Sequence, residues 1–283
     1  MNTCGCDLHV LYLEVRETCL VISRCSNFNS HPENYTKIAF NDIPQDDDKL
    51  KELIFNNINR PKTFRNLTSQ EKLCNTSCEE VFNHNITHVV INTFGCNLHC
   101  QMCYFTDYEL TSEMKELYKR LCNLFISTDF EIAFTHRGEP FLFHDVIENY
   151  FKHKRSFSCI SNLTLIREED IDLLAKNNCS ILSSIDSIDE TIYRSIRTPA
   201  SHSDYEKVLS TAIKLANAGV LKCNLITITT QNLNLNDLAK TFKFFKNLNV
   251  FFQIGVDVAN VSYNHPIIVF LQKCFPDKKY WRN

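Results

Sequence analysis

The segment GCNLHCQMCY, residues 95–104, sets three cysteines in the spacing C-x3-C-x2-C, with a tyrosine directly after them. Thiolates are soft anionic ligands, so three on one short loop point to metal chemistry. A structural zinc site normally closes with four protein ligands. Three suit a cubane 4Fe–4S cluster held through all but one of its irons, with the last iron open to a substrate or cosubstrate. His99, inside the same loop, is a candidate fourth ligand to zinc, yet in so short a loop it is expected to be exposed instead. In a chain with 14 cysteines the spacing alone carries little, and its neighbours must decide.

A second candidate is HRGEP, residues 136–140. The chain has only five glycines, and two of them, Gly95 and Gly138, fall in these two loops. Glycine admits close approach of backbone to a ligand, and the Glu139 carboxylate can accept hydrogen bonds from an ammonium group. The bland alternative is a simple strand-exit turn.

The elements around these loops follow from periodicity. Short β-branched or aromatic runs at 87–94, 130–135, 157–161, 179–185, 221–229 and 250–258 read as strands. Segments of helical period lie near 112–127, 144–154, 168–177, 204–218, 237–247 and 266–274. Asp237 stands where it would cap or lead a helix, and Gly219 where a glycine ends one. Such alternation implies parallel strands joined by crossover helices, either a partial (β/α)6 TIM-like barrel or a doubly wound sheet. Both bind ligands at the carboxyl ends of their strands. The cysteine loop follows the first of these strands and the Gly-Glu-Pro loop the second.

Composition sets outer bounds. Hydrophobic residues make up 44% and charged residues 22% of 283, ordinary for a globular protein with a sizeable core. A net charge of −3 gives no reason to expect nonspecific binding to nucleic acid or an anionic membrane. No apolar run approaches the roughly 18 residues that cross a bilayer, and the start of the chain lacks a basic region typical of export. The cysteines are therefore expected as thiols or metal ligands in a reducing cytoplasm.

With these motifs in order, the sequence resembles a radical S-adenosylmethionine (SAM) enzyme over roughly residues 86–260. GCNLHCQMCYF resembles the family's cluster loop and RGEP its Gly-Gly-Glu-Pro loop. CISNLTLI resembles the Thr-Asn-Gly segment after the third strand, and SSIDSIDETIYRSIR (183–197) the Ser-x-Asp segment after the fourth. The resemblance implies that Cys96, Cys100 and Cys103 ligate a 4Fe–4S cluster whose open iron is chelated by SAM. It further implies that Tyr104 contacts the adenine, Gly138 and Glu139 the methionyl amino group, and Ser184 and Arg197 the ribose or carboxylate end, with Asn162 shaping the pocket. The reaction implied is one-electron reduction of SAM to methionine and a 5′-deoxyadenosyl radical that abstracts hydrogen from substrate. A one-electron donor such as flavodoxin or ferredoxin is the implied partner. Three positions depart from the pattern: Arg137 and Leu163 replace glycines, and Ser187 replaces the glycine that often follows Ser-x-Asp.

Residues 1–85 are polar and irregular, with an acidic patch at 45–49 and a plausible helix around 48–58, and are read as a small accessory module beside a barrel over 86–283. The pairs Cys19/Cys25 and Cys74/Cys78 are candidates for an auxiliary cluster or zinc site, with Cys4 and Cys6 as competing ligands. The module resembles the cysteine-rich SPASM and twitch domains of peptide-modifying radical SAM enzymes, although those usually follow the barrel. Scattered buried cysteines are the alternative. Cys122, Cys159, Cys179, Cys223 and Cys274 are expected to pack in the core, and KHKR (152–155) to end a helix. No catalytic residue is assigned, although Cys274 and Tyr263 carry the chemistry to donate hydrogen to a substrate radical. A peptide or protein substrate is favoured because the cysteine-bearing module resembles the accessory architecture of peptide modifiers, and because basic residues (30), outnumbered by acidic ones (33), give no argument for RNA. The alternatives are an RNA or small-metabolite substrate, or a noncatalytic iron–sulfur or zinc protein on the same scaffold.

Overall fold

The computed structural model describes residues 9–24, 35–58, 85–103, 109–134 and 137–281. The chain divides into two compact units, one of Met1–Phe94, Tyr108–Gly138 and Asp145–Phe157, the other of Gly95–Asp107, Glu139–His144 and Ser158–Asn283.

In the first unit, β1 (Val10–Val15), β2 (Cys19–Ser23) and β3 (Tyr35–Ala39) form an antiparallel meander, followed by helix α1 (Asp47–Asn56). The free edge of β1 pairs in parallel with β4 (His88–Thr93), from Val10 opposite His88 to Val15 opposite Thr93. Helix α2 (Ser112–Leu124) leads to β5 (Glu131–Phe134), which pairs in parallel with β4, and most of α3 (His144–Lys152) belongs here too. β1 is a strand because its Leu11, Leu13 and Val15 are fully buried while the chain stays extended. The sequence boundary at 85–86 thus lies between two paired strands. A parallel partner far away in sequence leaves no local signature, so the pairing of β1 with β4 is not legible in the sequence.

Tyr150 of α3 packs against Phe134 and Phe157 at ring-centroid distances of 5.0 and 5.9 Å, and its hydroxyl donates to the Cys122 carbonyl at 2.8 Å. Of KHKR, Lys152 lies in the last turn of α3 and Arg155 donates to the Phe130 carbonyl at 2.8 Å, so this segment is helix-end structure as expected.

In the second unit, β6 (Ser158–Ser161), β7 (Ser180–Ser183), β8 (Leu221–Ile228) and β9 (Phe251–Val256) pair in parallel in chain order. Between and after them run α4 (Glu168–Lys176), α5 (Glu190–Ile196), α6 (His202–Asn217), α7 (Leu235–Asn247) and α8 (Pro266–Cys274). Capping sets their starts: Asp189 accepts from the Thr191 and Ile192 amides, and Ser201 and Asp204 cap α6 reciprocally. Gly219 ends α6 at φ +69°, the left-handed conformation expected of it. Asn234 caps α7, so Asp237 is a buried first-turn residue rather than the cap.

The expected strands and helices from residue 86 onward are all present, and parallel pairing with intervening helices makes the fold α/β. Cys122, Cys159, Cys179 and Cys223 are buried as expected. Cys274 is exposed instead, because it is the last residue of α8, a turn beyond the buried Leu271. Among the described residues no helix is long and apolar enough to cross a membrane.

Candidate active site

The cysteine loop, Glu139 and every described residue expected beyond β6 belong to the second unit. Gly95 opens the loop at φ +107°, a conformation open to glycine, and its carbonyl accepts from the Glu139 amide at 2.8 Å. At the far side the loop is pinned to the segment after α5. The His99 amide donates to the Thr198 carbonyl at 2.5 Å, and the Thr198 hydroxyl donates back to the His99 carbonyl at 2.7 Å. His99 itself is exposed, as expected.

Two cysteine sulfurs already face hydrogen-bond donors. Cys96 Sγ accepts from the Leu98 amide at 3.4 Å and from Asn162 Nδ2 at 3.5 Å. Cys100 Sγ accepts from Arg197 Nη1 at 3.6 Å. Cys96 is exposed by surface area, yet the protein atoms around its thiol desolvate it enough to push it up to about 11 against the pull of the Leu98 amide, and burial raises Cys100 against the Arg197 guanidinium. Cys103 is half-buried, and its amide donates to the Cys100 carbonyl at 2.9 Å. Donors aimed at sulfur favour the thiolate form that a metal requires. Among the described residues no three His, Cys, Asp or Glu side chains converge on a single ion. Three thiols on one loop, with hydrogen-bond donors at the sulfurs of Cys96 and Cys100, are the donor chemistry that a 4Fe–4S cluster would take.

Asn162 is the centre of a compact network. Its Nδ2 also donates to Asn97 Oδ1 at 3.0 Å, while its Oδ1 accepts from the Thr164 amide at 2.9 Å and hydroxyl at 2.6 Å. Beneath it, Glu139 is 1% exposed, and both its oxygens are engaged inside the chain. Oε1 accepts from Ser161 Oγ at 2.9 Å and the Phe141 amide at 3.2 Å, and Oε2 accepts from the Asn162 amide at 2.7 Å. Burial raises the Glu139 carboxyl to about 7, opposed by these three hydrogen bonds. Its position ties the loop after β5 to the loop after β6.

Arg197 is likewise engaged from within. Nε and Nη2 each lie 2.7 Å from Asp186 Oδ2, and Asp186 Oδ1 accepts from the Thr227 amide at 2.7 Å. Burial acts most strongly against the guanidinium charge, but Asp186, Cys100 and Tyr193 together more than offset it and raise the Arg197 pKa. Ser184 is half-buried just after β7, and Gly138 is half-buried in the first unit.

The structure thus brings together Cys96, Asn162 and Glu139 through one network, and Cys100 and Arg197 through another. Tyr104 lies outside the described residues, as do Cys25, Cys74, Cys78, Cys4 and Cys6. Of the second metal set only Cys19 is described, half-buried at the start of β2. Asp186 was missed, although the Ser-x-Asp motif contains it; only the fold shows that this carboxylate meets Arg197.

The three departures each have a structural partner. Arg137 Nε lies 2.5 Å from Glu14 Oε2 in the first unit, where Arg16 Nε also lies 2.6 Å from Glu14 Oε1. Leu163 takes φ +68°, the conformation that favours glycine, with its side chain fully buried. Ser187 donates to Asp237 Oδ1 at 2.6 Å and accepts from the Asp189 amide at 3.0 Å.

The structure of Streptococcus suis SuiB bound to precursor peptide SuiA matches at TM-score 0.51 and 12% identity, over 99% of this chain and 72% of that one. SuiB bound to S-adenosylmethionine matches at TM-score 0.50 and 12% identity, over 100% and 72% of the two chains. Native anSMEcpe with bound AdoMet and Cp18Cys peptide matches at TM-score 0.45 and 22% identity, over 59% of this chain and 50% of that one. The chain thus spans half the length of anSMEcpe. No curated protein sequence matches it. The likeness to SuiB shows a partial-barrel α/β fold. The family model described as the Radical SAM superfamily matches residues 90–245, more than half of the sequence, and the chain belongs to that superfamily.

Proposed function

We propose that this protein is a radical SAM enzyme that modifies a peptide or protein. The observation that carries the reading is the C-x3-C-x2-C loop after β4, with the sulfurs of Cys96 and Cys100 each facing a donor from a neighbouring loop. Cys96, Cys100 and Cys103 would hold a 4Fe–4S cluster. When bound with SAM, that cluster supplies one-electron cleavage to a 5′-deoxyadenosyl radical. The chain's own part is to hold and orient. Tyr104, Gly138, Asn162 and Ser184 would face SAM, while Glu139 and Arg197 brace the loops that carry them. Ser184, half-buried at the strand end, presents a hydroxyl suited to a ribose edge.

The peptide part rests on the precursor peptide carried by SuiB and on the absence of an excess of basic residues. A one-electron donor of the flavodoxin or ferredoxin type, a cytoplasmic location and a second metal site on Cys19, Cys25, Cys74 and Cys78 belong to the same proposal. A noncatalytic iron–sulfur protein is the second reading, favoured by Glu139 and Arg197 both being engaged inside the chain.

Anaerobic reconstitution followed by dithionite and SAM separates the two. The enzyme should release 5′-deoxyadenosine, and changing Cys96, Cys100 and Cys103 together to alanine should abolish both the release and the cluster's iron. A triple variant that still cleaves SAM would refute the site. Substrate-stimulated release confined to an RNA fraction of cell extract would refute the peptide reading.

A further inference from the structure

The two cysteine sulfurs with described donors are served differently. Cys96 takes neutral partners, the Leu98 amide and the Asn162 carboxamide. Cys100 takes a cation, Arg197, whose Nη1 lies 3.6 Å from its sulfur. That cation cannot readily swing away. Asp186 Oδ2 holds its Nε and Nη2 at 2.7 Å each, leaving Nη1 aimed at the thiol. The carboxylate is in turn held by the Thr227 amide at the end of β8, 2.7 Å from Oδ1. Asp186 is fully buried and Arg197 only 8% exposed, so water screens this charge little.

A planar guanidinium clamped on one side by a carboxylate presents its remaining donor in a fixed direction. Reduction of an iron–sulfur cluster adds one negative charge, shared with its ligand sulfurs. Hydrogen bonds and positive charge at those sulfurs favour the reduced form and raise the potential.

We propose that Arg197, clamped by Asp186, raises the reduction potential of the cluster through the Cys100 thiolate rather than serving as a ligand for the SAM carboxylate. This rests on the cluster being held by Cys96, Cys100 and Cys103, as proposed above. Arg197 is a positioning and tuning residue on that view, and Asp186 acts through it.

The test compares the anaerobically reconstituted wild type with two variants, Arg197→Gln/Asp186→Asn and Arg197→Lys. The double variant removes both charges together, so no buried carboxylate is left unpaired, and the carboxamide oxygen introduced in place of Asp186 can still accept from the Thr227 amide. Iron and sulfide are counted first. A potentiometric titration then follows, with dithionite donating one electron per cluster and the reduced state read by electron paramagnetic resonance. Both variants should load iron as the wild type does and show a midpoint shifted to more negative potential. The shift should be smaller for Arg197→Lys, which keeps a charge but lacks the fork that reaches both partners. Equal midpoints at equal iron content would overturn the proposal while leaving the cluster assignment standing. If the double variant loads no iron, Arg197→Lys decides alone, and a wild-type midpoint there overturns it. A wild type that takes up no cluster overturns both this inference and the functional reading beneath it.

Discussion

Leu163 is the residue where local cost and tertiary gain meet most openly. An L-residue at φ +68° is disfavoured by about 1–2 kcal/mol, yet burying a leucine side chain outweighs that. Leu163→Ala keeps the strain and loses the packing, for a loss of about 2–5 kcal/mol. Leu163→Gly loses the same packing but relieves the backbone, so it should be more stable than the alanine variant by up to about 1 kcal/mol. Urea denaturation checks this order; at an ordinary buried position glycine would be the worse of the two. Glu139 supports a pH prediction. Burial raises its pKa from 4.5 to about 7, so its acid form is the one the fold favours. The stability it contributes is complete below 4.5 and is lost as pH rises through 7. The urea midpoint of the wild type, taken relative to Glu139→Gln, should fall across that window. A difference that does not change with pH would show that the carboxylate is not penalised by burial.

At the scale of elements, helix ends and loop ties do most of the positioning. Gly219 closes α6 in the left-handed conformation, and a Cβ built there would meet open space. Gly219→Ala should therefore cost about 1–2 kcal/mol from backbone conformation alone. Gly255 in β9 makes the contrast, since its Cβ would find ordinary contacts at 3.7 Å from Leu225 and Thr227 and its backbone lies outside the left-handed region. Gly255→Ala should be near neutral, and thermal denaturation of the two variants side by side checks the difference. Ser187 shows the same economy between elements. Its hydroxyl links the loop after β7 to Asp237 in the first turn of α7, so the position's departure from glycine adds a tie.

At the scale of the whole molecule, the N-terminal segment is built into the first unit through β1. Leu11, Leu13 and Val15 are fully buried, and Glu14, also buried, meets Arg137 and Arg16. A buried carboxylate with cations beside it is costly to leave half-paired, by about 3–5 kcal/mol when one partner goes. A fragment of residues 86–283 would lack β1, expose one edge of β4 and leave Arg137 without Glu14. It should lose the cooperative melting of the full chain by calorimetry. A fragment that melts cooperatively would instead support the division into a 1–85 module and an 86–283 barrel.

Periodicity, capping residues and the cysteine spacing determined the strands and helices after residue 86, the loop carrying Cys96, Cys100 and Cys103, and the helix-ending role of Gly219. These depend on neighbours a few residues away, which sequence order contains. Tertiary structure alone decided that VLYLEV pairs in parallel with β4, because a parallel partner is chosen by contacts remote in sequence. It also decided where the charged groups point. Sequence order does not show which groups surround the glutamate of the Gly-Glu-Pro loop; in the fold the Asn162 and Phe141 amides and the Ser161 hydroxyl donate to Glu139. Arg197 is a second case: sequence spacing does not show that Asp186 Oδ2 lies 2.7 Å and Cys100 Sγ 3.6 Å from its guanidinium, because a buried charge is paired by groups that only the fold brings near.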